Sequence, residues 1–350
     1  MVRGAFDWRD GERLIRFGRG VAAGAVEALG GPGYLLLTTS RAGEVLPAVG
    51  EAAAGVHHVG HGGVPELAAE ALEWTHATEM PAVATAAHAS ARPHSARIVA
   101  LGGGRVIDAA KAVAAALGDG TRAMAIPTTL SGAEMTRGHR HAAGVPEDTP
   151  RVRCAVVVCD PELAASQPPG ELAASAMNAL AHAVEAPCTR AANPVATLAA
   201  HEAARLLVGA LGAGAPDRDA LALGALLAGY SIDSTGFGLH HVMAQTLVRF
   251  GLAGHGQANA ALLPHTIPAL ARRFPEAHAA LAAALGEDPV RTAARMLALT
   301  SARIEATDAQ IEDCVEEAAA RPQLAATPPP ADRDELRAIY ATALRAPNSS

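Results

Sequence analysis

Two stretches in the second half of this chain place polar side chains where helical spacing turns residue type into geometry. In Asn178-Ala179-Leu180-Ala181-His182 the amide and the imidazole lie four residues apart, and therefore on one helix face. His240 and His241 follow Gly238-Leu239, and His255 sits in Gly254-His255-Gly256-Gln257. Imidazole is the side chain that exchanges a proton near neutrality. Three segments that carry it through an otherwise apolar stretch suggest one shared pocket. The chain has 15 histidines. His57, His58, His61, His76, His88, His94, His201, His265 and His278 read as solvated or locally satisfied.

The first half offers a different chemistry. Arg97-Ile98-Val99-Ala100-Leu101 has the pattern of a strand and runs straight into Gly102-Gly103-Gly104, with a helix pattern from Val106 to about Leu117. A strand, a glycine turn and a helix bring backbone N–H groups and a helix N-terminus against a phosphate. Asp108 and Lys111 fall on the first turns of that helix. The triplet is not G-x-G-x-x-G, so a tight turn with a solvent-facing Lys111 is an equal reading. Pro127-Thr128-Thr129-Leu130-Ser131 follows another strand pattern. Hydroxyls beyond the carboxyl end of a parallel strand belong on the ligand-binding edge of a sheet, although a polar capping loop would look the same.

The elements that must position these groups change character along the chain. Short apolar runs at 34–39, 97–101, 123–127 and 153–158 alternate with helix patterns at 65–74 and 106–117, which implies a parallel sheet covered by helices. Beyond Asp160 the segments 171–185, 194–211, 219–231, 239–248, 257–271 and 289–299 are alanine-rich and helix-patterned. Pro264 and Pro268 are expected to break or kink the fifth of them. Pro328-Pro329-Pro330 precedes a last helix over 333–344. The predicted organisation is an α/β domain over 1–159 and an all-helical domain over 160–350.

Composition narrows the function classes. Half of the 350 residues are hydrophobic and 18% are charged, which excludes extensive disorder. The net charge of −7 argues against a nucleic-acid-coating or basic membrane-surface role. The 4 cysteines form no C-x-x-C pair, the first 20 residues are rich in charge, and no apolar run reaches membrane-spanning length. A soluble, cytoplasmic protein is expected.

Taken in order, these residues carry a resemblance. Gly102-Gly103-Gly104-x-x-x-Asp108-x-x-Lys111, Pro127-Thr128-Thr129, Asp160-Pro161-Glu162-Leu163, Asn178-x-x-x-His182-x-x-Glu185, Asn193-Pro194, and His241 with His255-Gly256 resemble the iron-containing alcohol dehydrogenase superfamily from about Phe17 onwards. Within it the chain looks most like the maleylacetate reductases, through Gly132-Ala133-Glu134-Met135-Thr136, the segment Met177 to Ala186, and Gly238-Leu239-His240-His241.

The resemblance implies an N-terminal dinucleotide-binding α/β domain with a parallel sheet, an all-helical C-terminal domain, and an active site in the cleft between them. It implies NADH or NADPH held by Gly102, Gly103, Gly104, Asp108, Lys111, Thr128 and Thr129. His182, His241 and His255, with His240 and Asn178, would line the substrate pocket as proton donors or carboxylate partners. Arg137, His139 and Arg140 are candidate anion contacts. Metal-using relatives bind a divalent ion with one Asp and three His. Here Asn178 stands at the Asp position, which removes the anionic ligand, so no catalytic metal is expected. The implied reaction is hydride transfer to the C=C of a 4-oxo-2-enedioate, giving 3-oxoadipate, in a homodimer acting on a small anionic substrate.

Several positions depart from the family. Arg105 follows the glycine triplet in place of a serine, Ala133 replaces another serine, and Leu130 stands where maleylacetate reductases tend to carry Tyr. Gln245 replaces a His one turn after His241, and Ser95-Ala96-Arg97 lacks the family's acid. These favour a specialised biosynthetic paralogue as the alternative. It would be a reductase of another carbonyl or enone, or a non-redox enzyme of elimination, isomerisation or cyclisation on the same fold.

Overall fold

The computed structural model describes residues 4–78, 96–118, 120–211 and 214–344, so His88, His94 and Ser95 lie outside the described residues. The chain divides into two compact units, Met1–Ser166 and Gln167–Ser350.

The first unit is built on a sheet of β1 (Phe6–Asp10), β2 (Arg13–Phe17), β3 (Leu35–Thr38), β4 (Gly55–His58), β5 (Arg97–Gly102), β6 (Arg122–Pro127) and β7 (Val156–Cys159), in the order β1-β2-β7-β6-β5-β3-β4. All neighbouring pairs are parallel except β1 and β2, an antiparallel edge hairpin that turns at Gly11 with φ +61°. The helices are α1 (Ala25–Ala28), α2 (Ser40–Val45), α3 (Pro47–Glu51), α4 (Val64–Ala77), α5 (Gly104–Leu117) and α6 (Pro161–Ala164). Strands β3, β5 and β7 are buried at every position, as strands covered on both faces must be. They are therefore the ones that read as continuous apolar runs. Strands β1 and β4 are partly exposed and carry Asp, Arg and His, so no apolar run marks them.

The unit ends after Ser166 rather than at residue 159, because α6 belongs to its core. Leu163 packs in a cluster with Ala22, Leu29, Tyr34 and Leu36. Asp160 accepts the N–H groups of Ala22 at 3.2 Å and Glu162 at 3.1 Å. Arg97 is likewise structural. Its guanidinium donates to the carbonyls of Leu29, Gly31 and Pro32 and lies over the Tyr34 ring, which pins the turn leading into β3.

The second unit contains α7 (Pro169–Glu185), α8 (Pro194–Ala210), α9 (Arg218–Thr235), α10 (Leu239–Arg249), α11 (His255–Arg273), α12 (Pro275–Leu285), α13 (Pro289–Leu297), α14 (Asp308–Ala320) and α15 (Arg333–Leu344), with no strand among the described residues. Small side chains let the helices close up. A Cβ at Gly224 of α9 would lie 2.8 Å from Leu207 and 3.2 Å from the Ala203 carbonyl on α8. Helix starts carry their own caps: Asn193 accepts from the N–H of Ala196, Asp288 from that of Arg291, and Thr307 forms a capping box with Gln310. Contrary to expectation, α11 runs unbroken through Pro264 and Pro268. Pro264 is buried and Pro268 faces solvent within a stretch otherwise buried nearly throughout from Ala258 to Leu270, and burial of the helix on that scale outweighs the roughly 3 kcal/mol that an internal proline costs.

Candidate active site

Two polar regions answer to the residues singled out by spacing, one in each unit. In the first unit, Gly102 closes β5 and Gly103 caps α5. The triplet is needed for close approach and not for unusual backbone angles, since Gly103 has φ −80°. A Cβ there would sit 2.9 Å from Thr129 Cγ2, and one at Gly104 would sit 2.8 Å from Ser131 Cβ. The loop after β6 therefore nests against the turn after β5, secured by the Thr128 N–H donating to the Gly102 carbonyl at 2.9 Å. Thr129 Oγ1 is buried beside this turn with no hydrogen-bond partner among the described residues. An orphaned hydroxyl next to the N-terminus of a 14-residue helix fits a bound phosphate or dinucleotide.

Lys111 takes a different role from either sequence reading. It is wholly buried, and its ammonium donates to the carbonyls of Ala133 at 2.9 Å, Thr136 at 3.0 Å and Gly138 at 3.0 Å while pairing with Asp108 at 2.8 Å. An ammonium has three protons, so none is left for a cofactor. Lys111 anchors the loop. Asp108, on the same turn, stays partly exposed. Beside them, burial lifts the Glu134 carboxyl to about 7, opposed by Lys111. His139 is also internal. Nδ1 donates to the Arg140 carbonyl, Nε2 accepts from the Val152 N–H, and burial holds the ring near 4, so it stays neutral and is no anion contact. Arg137 and Arg140 are exposed.

In the second unit Asn178, His182 and Glu185 share the buried face of α7 at i, i+4 and i+7. The His182 ring stacks on His241, with centroids 4.6 Å apart and planes 11° from parallel. Glu185, fully buried, accepts the ring Nδ1–H of His241 at 2.6 Å and the backbone N–H groups of His240 at 2.6 Å and His241 at 3.3 Å. Its carboxylate thus sits at the N-terminus of α10, where negative charge is favoured. Burial raises its pKa and these donors oppose the rise. Burial pushes His241 down to about 3 and His182 well below the usual range, and the charge of nearby His255 adds to both effects. With its proton on Nδ1, neutral His241 presents a lone pair at Nε2. That atom and His182 Nδ1 are buried and meet no hydrogen-bond partner.

Glu185 is the member of this group that spacing alone had not assigned a role. Its signal was its position three residues after His182 on the same helical stripe. His240, by contrast, is a latch. Its Nε2 donates to Asn259 Oδ1 at 3.0 Å and its Nδ1 accepts from Thr266 Oγ1 at 2.8 Å, which ties α10 to α11 and leaves no nitrogen for substrate. Asn259 in turn donates to the carbonyl of His255 at 2.8 Å. His255 itself is exposed, at the first turn of α11.

Comparison with known proteins agrees with this architecture. Residues 65–161 match the iron-containing alcohol dehydrogenase model, and residues 172–344 match the C-terminal model of the Fe-containing alcohol dehydrogenase family. The chain belongs to this family of oxidoreductases. Maleylacetate reductase 2 of Cupriavidus pinatubonensis is 34% identical over 75% of this chain and 72% of its own length. Maleylacetate reductase of Rhizobium sp. is 35% identical over 54% of this chain, and the match spans 56% of that protein. The crystal structure of maleylacetate reductase from Agrobacterium tumefaciens superposes with a TM-score of 0.77 at 27% identity, over 98% of this chain and 99% of the other.

The family name carries iron, and the candidate donors here differ from an Asp-and-His set in that Asn178 contributes a neutral amide. His241 Nδ1 is committed to Glu185, which leaves Nε2 as the ring nitrogen open to a ligand. Among the described residues no group of three or more His, Cys, Asp or Glu is arranged to hold a metal ion. Nor is any described helix long and apolar enough to cross a membrane.

Proposed function

We propose that the protein is an NAD(P)H-dependent, metal-independent reductase of the maleylacetate reductase type, acting on the C=C of a 4-oxo-2-enedioate. The observation that carries this reading is the stacked His182–His241 pair, backed by Glu185, with Nδ1 of one ring and Nε2 of the other unsatisfied in a buried place. When bound, the reduced nicotinamide supplies the hydride. Gly102, Gly103 and Gly104, with the orphaned Thr129 hydroxyl and the neighbouring Thr128, would hold the pyrophosphate, and Asp108 would meet a ribose.

The chain's own work lies with the histidines. As the alkene gains hydride at the carbon β to the ketone, its electron pair moves to the ketone oxygen. A neutral His182 N–H can hydrogen-bond that enolate, a task for which a neutral imidazole in a dry site is well suited. The enolate then collapses and takes a proton at the carbon α to the ketone. His241 would carry that proton at Nε2 after taking it from water, with Glu185 stabilising the imidazolium that forms transiently. His255, at the exposed edge, would meet a substrate carboxylate.

The same reading makes the protein a cytoplasmic homodimer with a small anionic substrate, and light scattering that gives the mass of a single chain would contradict the dimer. The test of function is consumption of reduced nicotinamide in the presence of a 4-oxo-2-enedioate, with the saturated 3-oxo acid recovered in equal amount. Activity should survive chelation and dialysis. Turnover that is lost on chelation and restored by iron or zinc would overturn metal independence, and absence of turnover would overturn the substrate.

A further inference from the structure

The reaction described above leaves unused a polar pair one helical turn along α10 from His241. Gln245 follows His241 by four residues and so lies on the same stripe of the helix, where it is half-buried. Arg321, immediately after α14, donates Nη2 to Gln245 Oε1 at 2.7 Å. A guanidinium offers only donors, so the amide oxygen of Gln245 must face it and the amide NH2 must face away. Among the described residues that NH2 meets no partner.

Arg321 is itself unusual. It is 9% exposed, yet its one side-chain hydrogen bond among the described residues goes to a neutral amide. Nη1 is buried with no acceptor. The nearby acid, Glu317, is occupied by Arg249 at 3.1 Å. A guanidinium removed from water is normally matched by a counter-charge, and here the protein supplies no direct one among the described residues.

We propose that Gln245 and Arg321 form a carboxylate-recognition pair that selects an anionic substrate group one helical turn from His241. This rests on the reading of the site as a reductase of an oxo-dicarboxylic acid and names the residues that choose the charge of that substrate. An incoming carboxylate accepts from the Gln245 NH2 and neutralises Arg321, whose orphaned Nη1 then gains an acceptor directly or through water. Because Arg321 fixes which way the amide points, it is both a charge partner and the positioning residue for Gln245.

The test compares a 4-oxo-2-enedioate with its monoester, which lacks the carboxylate charge distal to the ketone, in wild type, Arg321→Met, Arg321→Lys and Gln245→Leu. The expected result is that Arg321→Met lowers the ratio of kcat/KM for dianion over monoester by roughly 10- to 100-fold, the size of a lost charge-assisted hydrogen bond. The loss should appear mainly in KM. Arg321→Lys should recover part of it, and Gln245→Leu should lower the ratio by about 3- to 10-fold. Equal losses on both substrates, or an unchanged ratio, would overturn the pair as a selector.

Calorimetric titration with adipate separates this from the functional reading. Wild type that binds adipate while Arg321→Met does not, with no turnover of the enedioate by either, would keep the anion site and discard the reaction. Adipate bound equally by both, or by neither, overturns the site. Melting curves on each variant confirm that the folded protein is being compared.

Discussion

The two polar regions are made of similar residues, and in each some side chains are satisfied and others are not: Lys111 and His139 are engaged, while Glu134 Oε2 and both ring nitrogens of His141 nearby have no partner among the described residues. Around Lys111 in the first unit, a buried ammonium meets three carbonyls and a carboxylate, and His139 has both ring nitrogens engaged. Around His241 in the second unit, the count of donors and acceptors does not close. Among the described residues His182 Nδ1, His241 Nε2 and Arg321 Nη1 are all buried without hydrogen-bond partners. A satisfied polar network rigidifies a core, whereas an unsatisfied one carries an energetic penalty that a ligand can relieve. Residue type does not tell Lys111 and His139 from His182 and His241; the state of each side chain's hydrogen bonds does. By the same criterion Thr129, whose buried hydroxyl has no partner among the described residues beside the glycine turn, is a better candidate for the ligand edge of the first unit than Lys111.

The largest expected effect bears on the unsatisfied region. His241→Asn and His255→Gln should leave stability nearly unchanged and lower turnover per folded molecule by about 10²–10⁴-fold, the usual range for a lost proton-transfer group. Matched melting and kinetic measurements decide it. Unchanged specific activity in both variants would show that the site has been misplaced.

Lys111→Met should do the reverse. Removing the ammonium strands three backbone carbonyls at about 1–3 kcal/mol each in the buried limit, so the variant should melt well below wild type. Its turnover per folded molecule, measured well below that melt, should stay within a few-fold of wild type. A variant of normal stability that has lost cofactor affinity would restore Lys111 to the cofactor site and break the contrast.

A smaller effect is expected at His240, the satisfied histidine beside the unsatisfied one. His240→Leu strands Asn259 and Thr266 and should cost about 1–3 kcal/mol in chemical denaturation. If its turnover falls as steeply as that of His241→Asn, the latch assignment is wrong.

The mildest probe is pH. His240 and His241 are held near 3, below the ordinary value of 6.5, and His182 is lowered as well. The unfolded chain therefore binds protons before the native state does. Stability is full above about pH 6.5 and falls as pH drops below it, with a limiting slope near 1.4 kcal/mol per unit for each histidine. Glu134, raised from 4.5 to about 7, works with the opposite sign and loses stability as pH rises from 4.5 to 7. Glu134→Gln should accordingly stabilise the protein more at pH 8 than at pH 5. Denaturation at the two values that shows no such difference would remove Glu134 from the buried set.

Legibility along the chain followed burial. Strands β3, β5, β6 and β7 were readable because both faces are covered and the residues are apolar throughout or nearly so. The β1–β2 hairpin and β4 were not, since edge strands mix charged and apolar residues without a clean period. Helices α12 and α14 went unmarked although α14 has a full capping box, because an alanine-rich chain offers little contrast between a buried and an exposed face. Pro264 and Pro268 misled local reasoning for a related reason: propensity is worth a few kcal/mol per residue, and a nearly continuously buried helix face exceeds it.

What the sequence determined by itself were relations within one helix or one strand-turn-helix unit. Asn178, His182 and Glu185 share a face because helical spacing puts them there, and the glycine triplet sits between β5 and α5 because strand and helix patterns meet at it. Tertiary structure decided which of these groups are satisfied. Lys111 finds its acceptors 22 to 27 residues away, Glu185 meets His241 across 56 residues, and Arg321 reaches Gln245 across 76. No periodicity extends over such separations. Whether a buried donor has an acceptor is set by which distant segment packs against it, and that packing distinguishes a lysine whose hydrogen bonds are satisfied from a histidine left with a free ring nitrogen.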